Sequence, residues 1–176
     1  MSVRFATPDE IARWNELIIA NPDGGNLFSS YQYLQQKLTG GYKVHYVMVN
    51  KLAVSVLEKN TPPLGKLLYL PKGPNVTSTK ALFDTLKELE PFARKRGVFA
   101  IRIETELDRD QQPTLARHGL KKAAPIIPNP STITMSIAAD LDEILMNLPQ
   151  KGRHAIRRAE RDGVTVELVP TTEKNC

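Results

Sequence analysis

The sequence predicts an α/β fold in which helices alternate with strands on one sheet. Some segments repeat their apolar residues at helical spacing, and others form short β-prone runs bounded by turn residues. Of the 176 residues, 41% are hydrophobic and 24% are charged. This composition supplies enough apolar material for a core and excludes a disordered chain or a long multidomain protein.

The first half of the chain begins with helices. Thr7, Pro8 and Glu10 form a helix-start pattern, because Thr7 caps the free amide of Glu10 and Pro8 suits the first turn. The residues predicted to face inward from this helix are Ile11, Trp14, Leu17 and Ile18. Proline and glycine at 21–25 end it, and a second, shorter helix is predicted at 31–38.

The period then changes to that of strands. The runs 44–49 and 52–57, separated by the turn-prone Asn50, predict an antiparallel hairpin. Further strands are predicted at 66–70, 98–103, 133–137 and 164–169, and further helices at 80–96, 113–118, 141–148 and 149–163. Asp140 is expected to cap the helix that follows it, and Pro91 is expected to kink the helix 80–96.

The sequence contains no recognisable catalytic or metal-binding motif. The serine-nucleophile, phosphate-loop and dinucleotide patterns are absent, and His45, His118 and His154 lie far apart. Cys176 is the only cysteine, so it forms no internal disulfide and belongs to no thiol cluster. With no run of about 18 apolar residues and no secretory signal pattern at the N-terminus, we expect a cytoplasmic protein.

Two segments offer a cation in a defined setting. Tyr33 and Lys37 are four residues apart on a predicted helix and therefore share a face, which suits a sugar or a nucleotide phosphate. In the segment 69–74, prolines and a glycine stiffen a turn with Lys72 at its tip. The alternative is that the tyrosines pack on the sheet and that both lysines are simply solvated.

A third segment, 149–163, is strongly basic. It contains five basic and two acidic residues, which is a net charge of +3 out of +5 for the whole chain. Arg153, Arg157 and Arg161 fall on one helical stripe and suit phosphate contacts. The alternative is a solvated face with ion pairs such as Arg158 with Asp162.

These segments, taken in order, resemble the Fem family of tRNA-dependent aminoacyltransferases, which extend the peptidoglycan stem peptide. The stretches that carry the resemblance are 33–37, 69–74, 102–106, 128–134 and 151–163. The resemblance implies a GNAT-like acyltransferase domain with a mixed, mainly antiparallel sheet flanked by helices. Residues 1–148 would form this acceptor-binding domain, and residues 149–176 would begin a second GNAT-like domain.

The resemblance also implies an activity and its partners. The enzyme would transfer an amino acid from aminoacyl-tRNA, the donor substrate, to the stem peptide of a muramyl-pentapeptide precursor that is either lipid II or UDP-linked. No cofactor and no metal would take part, and the protein would make peripheral contact with the inner face of the membrane.

Seven substrate-binding residues are implied by the resemblance: Tyr33, Lys37, Tyr69, Lys72, Glu104, Arg153 and Arg157. Lys37 and Arg153 would contact the precursor's pyrophosphate, and Lys72 and Arg157 would support these contacts. Tyr33 would lie against the sugar or the uridine, and Glu104 would lie near the stem peptide. The catalytic residues are not identified.

Two other classes of protein share some of these features. An acetyl-CoA-dependent N-acetyltransferase of the GNAT type would need an R/Q-x-x-G-x-G/A loop, which is absent. A non-catalytic anion-binding or nucleic-acid-binding module would use the arginine stripe, but the basic helix carries no aromatic residue for base stacking.

Overall fold

The computed structural model describes residues 3–127, 133 and 135–169. Five strands form one sheet in sequence order: β1 (Val3–Phe5), β2 (Lys43–Val49), β3 (Leu52–Thr61), β4 (Gly65–Leu70) and β5 (Val98–Ile103). The first three neighbouring pairs are antiparallel, and β5 runs parallel to β4. The predicted class, a mixed and mainly antiparallel sheet flanked by helices, is confirmed.

Seven α-helices occur within these described ranges: α1 (Pro8–Ala12), α2 (Trp14–Ile19), α3 (Tyr31–Thr39), α4 (Thr79–Arg94), α5 (Gln112–Arg117), α6 (Leu141–Asn147) and α7 (Gln150–Arg161). None of these helices is long and apolar enough to cross a membrane. The chain forms two compact units, unit 1 (Met1–Pro128) with the sheet and unit 2 (Asn129–Cys176) with α6 and α7. The predicted domain limits, 1–148 and 149–176, differ from this division into units and stay a prediction.

Each face of the sheet in unit 1 buries its own hydrophobic cluster. On one face, Trp14 of α2 and Leu34 of α3 pack with Tyr69 of β4. On the other face, Leu89 and Ala93 of α4 pack against side chains from the central strands. Because side chains alternate along a strand, this arrangement assigns each strand residue to the α3 side or the α4 side of the sheet.

The start of the first helix is confirmed, but its length is not. Thr7 and Glu10 form the predicted capping box, in which the Thr7 hydroxyl accepts from the Glu10 amide and the Glu10 carboxylate accepts from the Thr7 amide. Arg13 then leaves the helical region with φ −113° and ψ 31°, which divides the predicted helix into α1 and α2. Trp14 and Ile18 remain buried, as predicted.

Glu10 provides a test of this capping structure. The bidentate ion pair with Arg4, at 2.7 Å for both contacts, and the Thr7 amide lower the pKa of Glu10 from 4.5 to about 2. A depressed carboxyl pKa stabilises the fold above the unfolded value and loses that effect as the pH falls through the folded value. We expect Glu10→Gln, which can still reach the Thr7 amide, to lower Tm at pH 7 and to approach the Tm of the unchanged protein as the pH falls to 2 and below. An equal Tm difference at both pH values would contradict this expectation.

The predictions of two strands, at 133–137 and 164–169, are wrong. Ile133 and the residues 135–137 adopt no strand in the structure, and Thr134 lies outside the described residues. The segment 164–169 is also not a strand, although it is β-prone. A strand needs a hydrogen-bonded neighbour and a buried face. Val166 and Leu168 are instead 93% and 102% exposed.

The two helices of unit 2, α6 and α7, lie at the positions predicted from the sequence. Asp140 caps α6 through the amide of Glu143, at 2.8 Å. Neither α6 nor α7 contains a buried residue.

Candidate substrate-binding site

The carboxyl ends of β4 and β5 bring the turn at Lys72 close to an acidic segment. The last pair of the parallel ladder joins Leu70 to Ile103, so the residues that follow both strands emerge at the same edge of the sheet. Lys72 Nζ lies 3.8 Å from Glu106 Oε1, and Glu106 Oε2 accepts a hydrogen bond from Asn26 Nδ2 at 2.8 Å. The Lys72 ammonium is therefore held by an ion pair and is not simply solvated.

A buried asparagine holds the turn around Lys72. Lys72 has a positive φ of 50°, an uncommon conformation for a residue other than glycine. The Asn75 side chain is buried, and its Nδ2 donates to Asp23 Oδ2 at 3.1 Å and to the carbonyl of Lys72 at 3.5 Å. The rigid turn predicted from proline and glycine thus depends also on Asn75, which the sequence reasoning missed.

Tyr69 and Glu104 form a hydrogen-bonded pair at the same edge. Tyr69 is 1% exposed, and its hydroxyl donates to Glu104 Oε2 at 2.8 Å. Burial, and then the hydrogen bond to the Glu104 carboxylate, raise the pKa of Tyr69, so its hydroxyl stays a donor. Glu104 also accepts from the backbone amides of Ile126 and Ile127. Tyr69 consequently acts on the site by orienting Glu104.

The predicted pairing of Tyr33 with Lys37 is present on α3. Lys37 Nζ lies 4.8 Å from the centroid of the Tyr33 ring. The rings of Phe28 and Tyr33 meet edge to face, with 5.1 Å between their centroids. Leu34, which follows Tyr33 on α3, packs in the same buried cluster as Tyr69. Tyr33, Lys37, Tyr69 and Glu104 therefore belong to one region of unit 1.

Arg102 is a further charged residue in this region that the sequence reasoning did not assign. It lies directly opposite Tyr69 in the parallel ladder. Its neighbours Ile101 and Ile103 pack towards α4, so Arg102 lies on the α3 side of the sheet with Tyr69. Arg102 Nε is buried and has no hydrogen-bond partner within the described part of the chain. A lone charged residue inside the apolar run 98–103 was the sequence signal for it.

The other two predicted residues, Arg153 and Arg157, belong to unit 2. Arg153 Nη1 donates to the carbonyls of Met146 and Leu148, at 2.9 and 2.5 Å, and so closes the carboxyl end of α6. Arg157 is exposed on α7, as the predicted stripe requires. The expected ion pair between Arg158 and Asp162 is present at 3.2 Å.

The described residues contain no group of three or more histidine, cysteine or acidic side chains that suits a metal ion. Among the histidines, His45 pairs instead with Glu58 on the neighbouring strand, with 2.9 Å between His45 Nε2 and Glu58 Oε2. His118 ends α5 and lies against the ring of Phe83, at a centroid distance of 4.2 Å. Both therefore have structural contacts.

No protein-family model and no curated protein sequence matches the chain. Solved structures similar to it include a probable acetyltransferase with 13% identity and a TM-score of 0.45, for which the match covers 80% of this chain and 100% of the other. An acetyltransferase of Trypanosoma brucei has 9% identity and a TM-score of 0.41, covering 77% and 99%. An aminoglycoside 6'-N-acetyltransferase of Acinetobacter haemolyticus has 14% identity and a TM-score of 0.42, covering 76% and 100%. Similarities this low assign neither an activity nor a site to the chain.

Proposed function

We propose that the chain is the acceptor-binding part of an acyltransferase of the Fem type, acting in peptidoglycan biosynthesis. The reaction is transfer of an amino acid from aminoacyl-tRNA to the stem peptide of a muramyl-pentapeptide precursor. The order of the sequence motifs supports this function. The structure adds that four of the residues implied by that resemblance lie in one region of unit 1.

The observation that carries the proposal is the pair formed by Lys37 and Tyr33. Its distance of 4.8 Å presents a positive charge and an aromatic face together on α3. A sugar linked to a pyrophosphate needs both features, because the ring packs on the sugar or base while the ammonium meets the phosphate oxygens. Neither residue forms an ion pair with a carboxylate within the described residues, so the Lys37 charge remains available to a ligand.

In this proposal the remaining residues position the acceptor. Tyr69 and the amides of Ile126 and Ile127 hold the Glu104 carboxylate, which lies where the stem peptide enters. The ion pair with Glu106 holds Lys72 at the neighbouring turn, in support of the phosphate contacts. In unit 2, Arg153 Nη1 donates to the carbonyls of Met146 and Leu148, and a contact between Arg153 and the pyrophosphate stays a prediction of the sequence resemblance.

Binding of a UDP-linked muramyl pentapeptide to the chain tests this function. A charge-assisted contact contributes about 1.5–3 kcal/mol, so we expect Lys37→Ala and Arg153→Ala each to weaken binding roughly 10- to 150-fold. The matched control is Lys59→Ala, because Lys59 Nζ also lies over a tyrosine ring, 5.4 Å from the centroid of Tyr42. Calorimetry at fixed salt gives the three dissociation constants.

The proposal fails if both site variants bind as tightly as the Lys59 variant. In that case the lysine and the arginine are surface charges of little energetic weight. Repeating the titration with the lipid-linked precursor in detergent then distinguishes the two forms of the acceptor.

An acetyl-CoA-dependent N-acetyltransferase is the second candidate function. The observation in its favour is the crossover from β4 through α4 to the parallel β5, which begins a helix at the sheet edge that carries Lys72. A helix start is suited to a pyrophosphate. Against it, the hydroxyl of Ser78 already accepts from the Ala81 amide at that helix start, and the glycine-rich loop is absent. Saturable binding of coenzyme A, unaffected by Lys37→Ala, would favour this candidate over the first.

A further inference from the structure

We propose that Arg102 binds an oxyanion of the ligand, a phosphate or a carboxylate, on the α3 side of the sheet beside Tyr69. This assignment adds a second cation to the region that contains Lys37. It rests on the proposed function only for the identity of the ligand that carries the oxyanion.

The position of Arg102 follows from the register of the sheet. Arg102 pairs with Tyr69 across the parallel ladder, and Glu104 follows on the same face two residues later. Tyr69 packs in the cluster that contains Leu34 of α3, the neighbour of Tyr33 in sequence. The Arg102 side chain therefore leaves the sheet beside Tyr69, on the face that packs against α3.

The energetics indicate a missing partner for this guanidinium. A buried arginine nitrogen without a hydrogen bond costs stability, and native structures rarely keep one. Glu104, which follows Arg102 by two residues, forms no ion pair with it, and the Glu104 oxygens accept instead from Tyr69 and from the amides of Ile126 and Ile127. The chain thus directs its own carboxylate to other donors and leaves the arginine nitrogen unpaired.

An oxyanion of a ligand would supply the hydrogen-bond partner that the Arg102 guanidinium lacks. The guanidinium presents a planar fork of N–H groups that pairs with two oxygens of a phosphate or a carboxylate at once. The buried setting strengthens such a pair relative to one in water. Lys37 adds a positive charge without this geometry, so Arg102 is the residue that selects for a planar pair of oxygens.

Titration of the Arg102 Nε–H resonance tests the proposal directly in the unaltered chain. Inorganic pyrophosphate and sodium acetate serve as separate probes at constant ionic strength, one for each source of the oxyanion. We expect a saturable shift of this resonance with at least one probe, and the probe with the lower dissociation constant identifies the group. The absence of a saturable shift with both probes would overturn the proposal.

Two variants separate ligand binding from a structural role. Arg102→Met is expected to weaken binding of the better probe at least about tenfold while Tm stays equal or rises, because a buried guanidinium nitrogen without a hydrogen-bond partner is removed. Arg102→Lys is expected to weaken binding as well, since the planar fork is lost. The control is Arg94→Met, which removes an exposed arginine that pairs with Glu90 on α4.

A fall in Tm with unchanged probe binding in Arg102→Met would show that the arginine is structural and would overturn the assignment. If that variant does not fold, the titration of the unaltered chain decides alone. Saturable probe binding through Arg102 together with no binding of the muramyl pentapeptide would remove the proposed function and leave this inference standing. Pentapeptide binding that depends on Lys37, with no shift at Arg102, would do the reverse.

Discussion

Amide hydrogens of α6 and α7 are expected to exchange with solvent at least about a thousandfold faster than those of β2 and β3. The reason is that neither helix of unit 2 contains a buried residue. Helices of this length are marginal in water unless an apolar face is packed. By contrast, β2 and β3 lie inside the sheet and include the fully buried Val47 and Val54. Their amides open only with the whole unit, at a cost of about 5–15 kcal/mol.

Hydrogen exchange followed by mass spectrometry gives both rates in one experiment. The peptide that covers β5 is the internal reference, because β5 is an edge strand with a single neighbour. Protection of α7 equal to that of β5 would contradict the expectation. It would show that α7 packs on another part of the protein in solution.

Replacement of Trp14 by alanine is expected to lower the free energy of unfolding by about 3–5 kcal/mol. Trp14 is 1% exposed, and its ring meets that of Tyr46 edge-on at 4.9 Å. Its indole Nε1 also donates to Ser55 Oγ at 3.0 Å and to the Ser29 carbonyl at 3.3 Å. The substitution therefore creates a cavity and removes hydrogen bonds that join α2 to β3.

Urea denaturation of the variant and of a control on the same helix measures this effect. Ile19→Ala is the control, since Ile19 is 66% exposed and should cost less than about 1 kcal/mol. Trp14→Phe should fall between the two, because it refills most of the space and loses only the indole donor. Equal losses for Trp14→Ala and Ile19→Ala would show that the cluster around Trp14 adds little to stability.

Local sequence determined the elements whose signals lie within a few residues. The capping box at Thr7, the hairpin turn at Asn50 with its φ of 56°, and the shared face of Tyr33 and Lys37 are all present. Each depends on contacts between residues close in sequence, such as a cap or a helical turn. Short-range periodicity also located β2 to β5, because their apolar runs are long enough to be recognised in the sequence.

Tertiary structure alone decided the features that depend on distant residues. The segment 164–169 has the composition of a strand but forms none, because strand formation requires a neighbour that no local pattern supplies. Arg102 acquired its buried, unpaired nitrogen from the parallel pairing of β4 with β5, and Glu104 acquired its partners from Tyr69 and the residues at 126–127. The sequence thus determined which charged residues the chain carries at this site. The pairing of strands that are distant in sequence decided which of these charges are neutralised within the chain. The reason is that a hydrogen bond depends on atomic positions that only the assembled sheet defines.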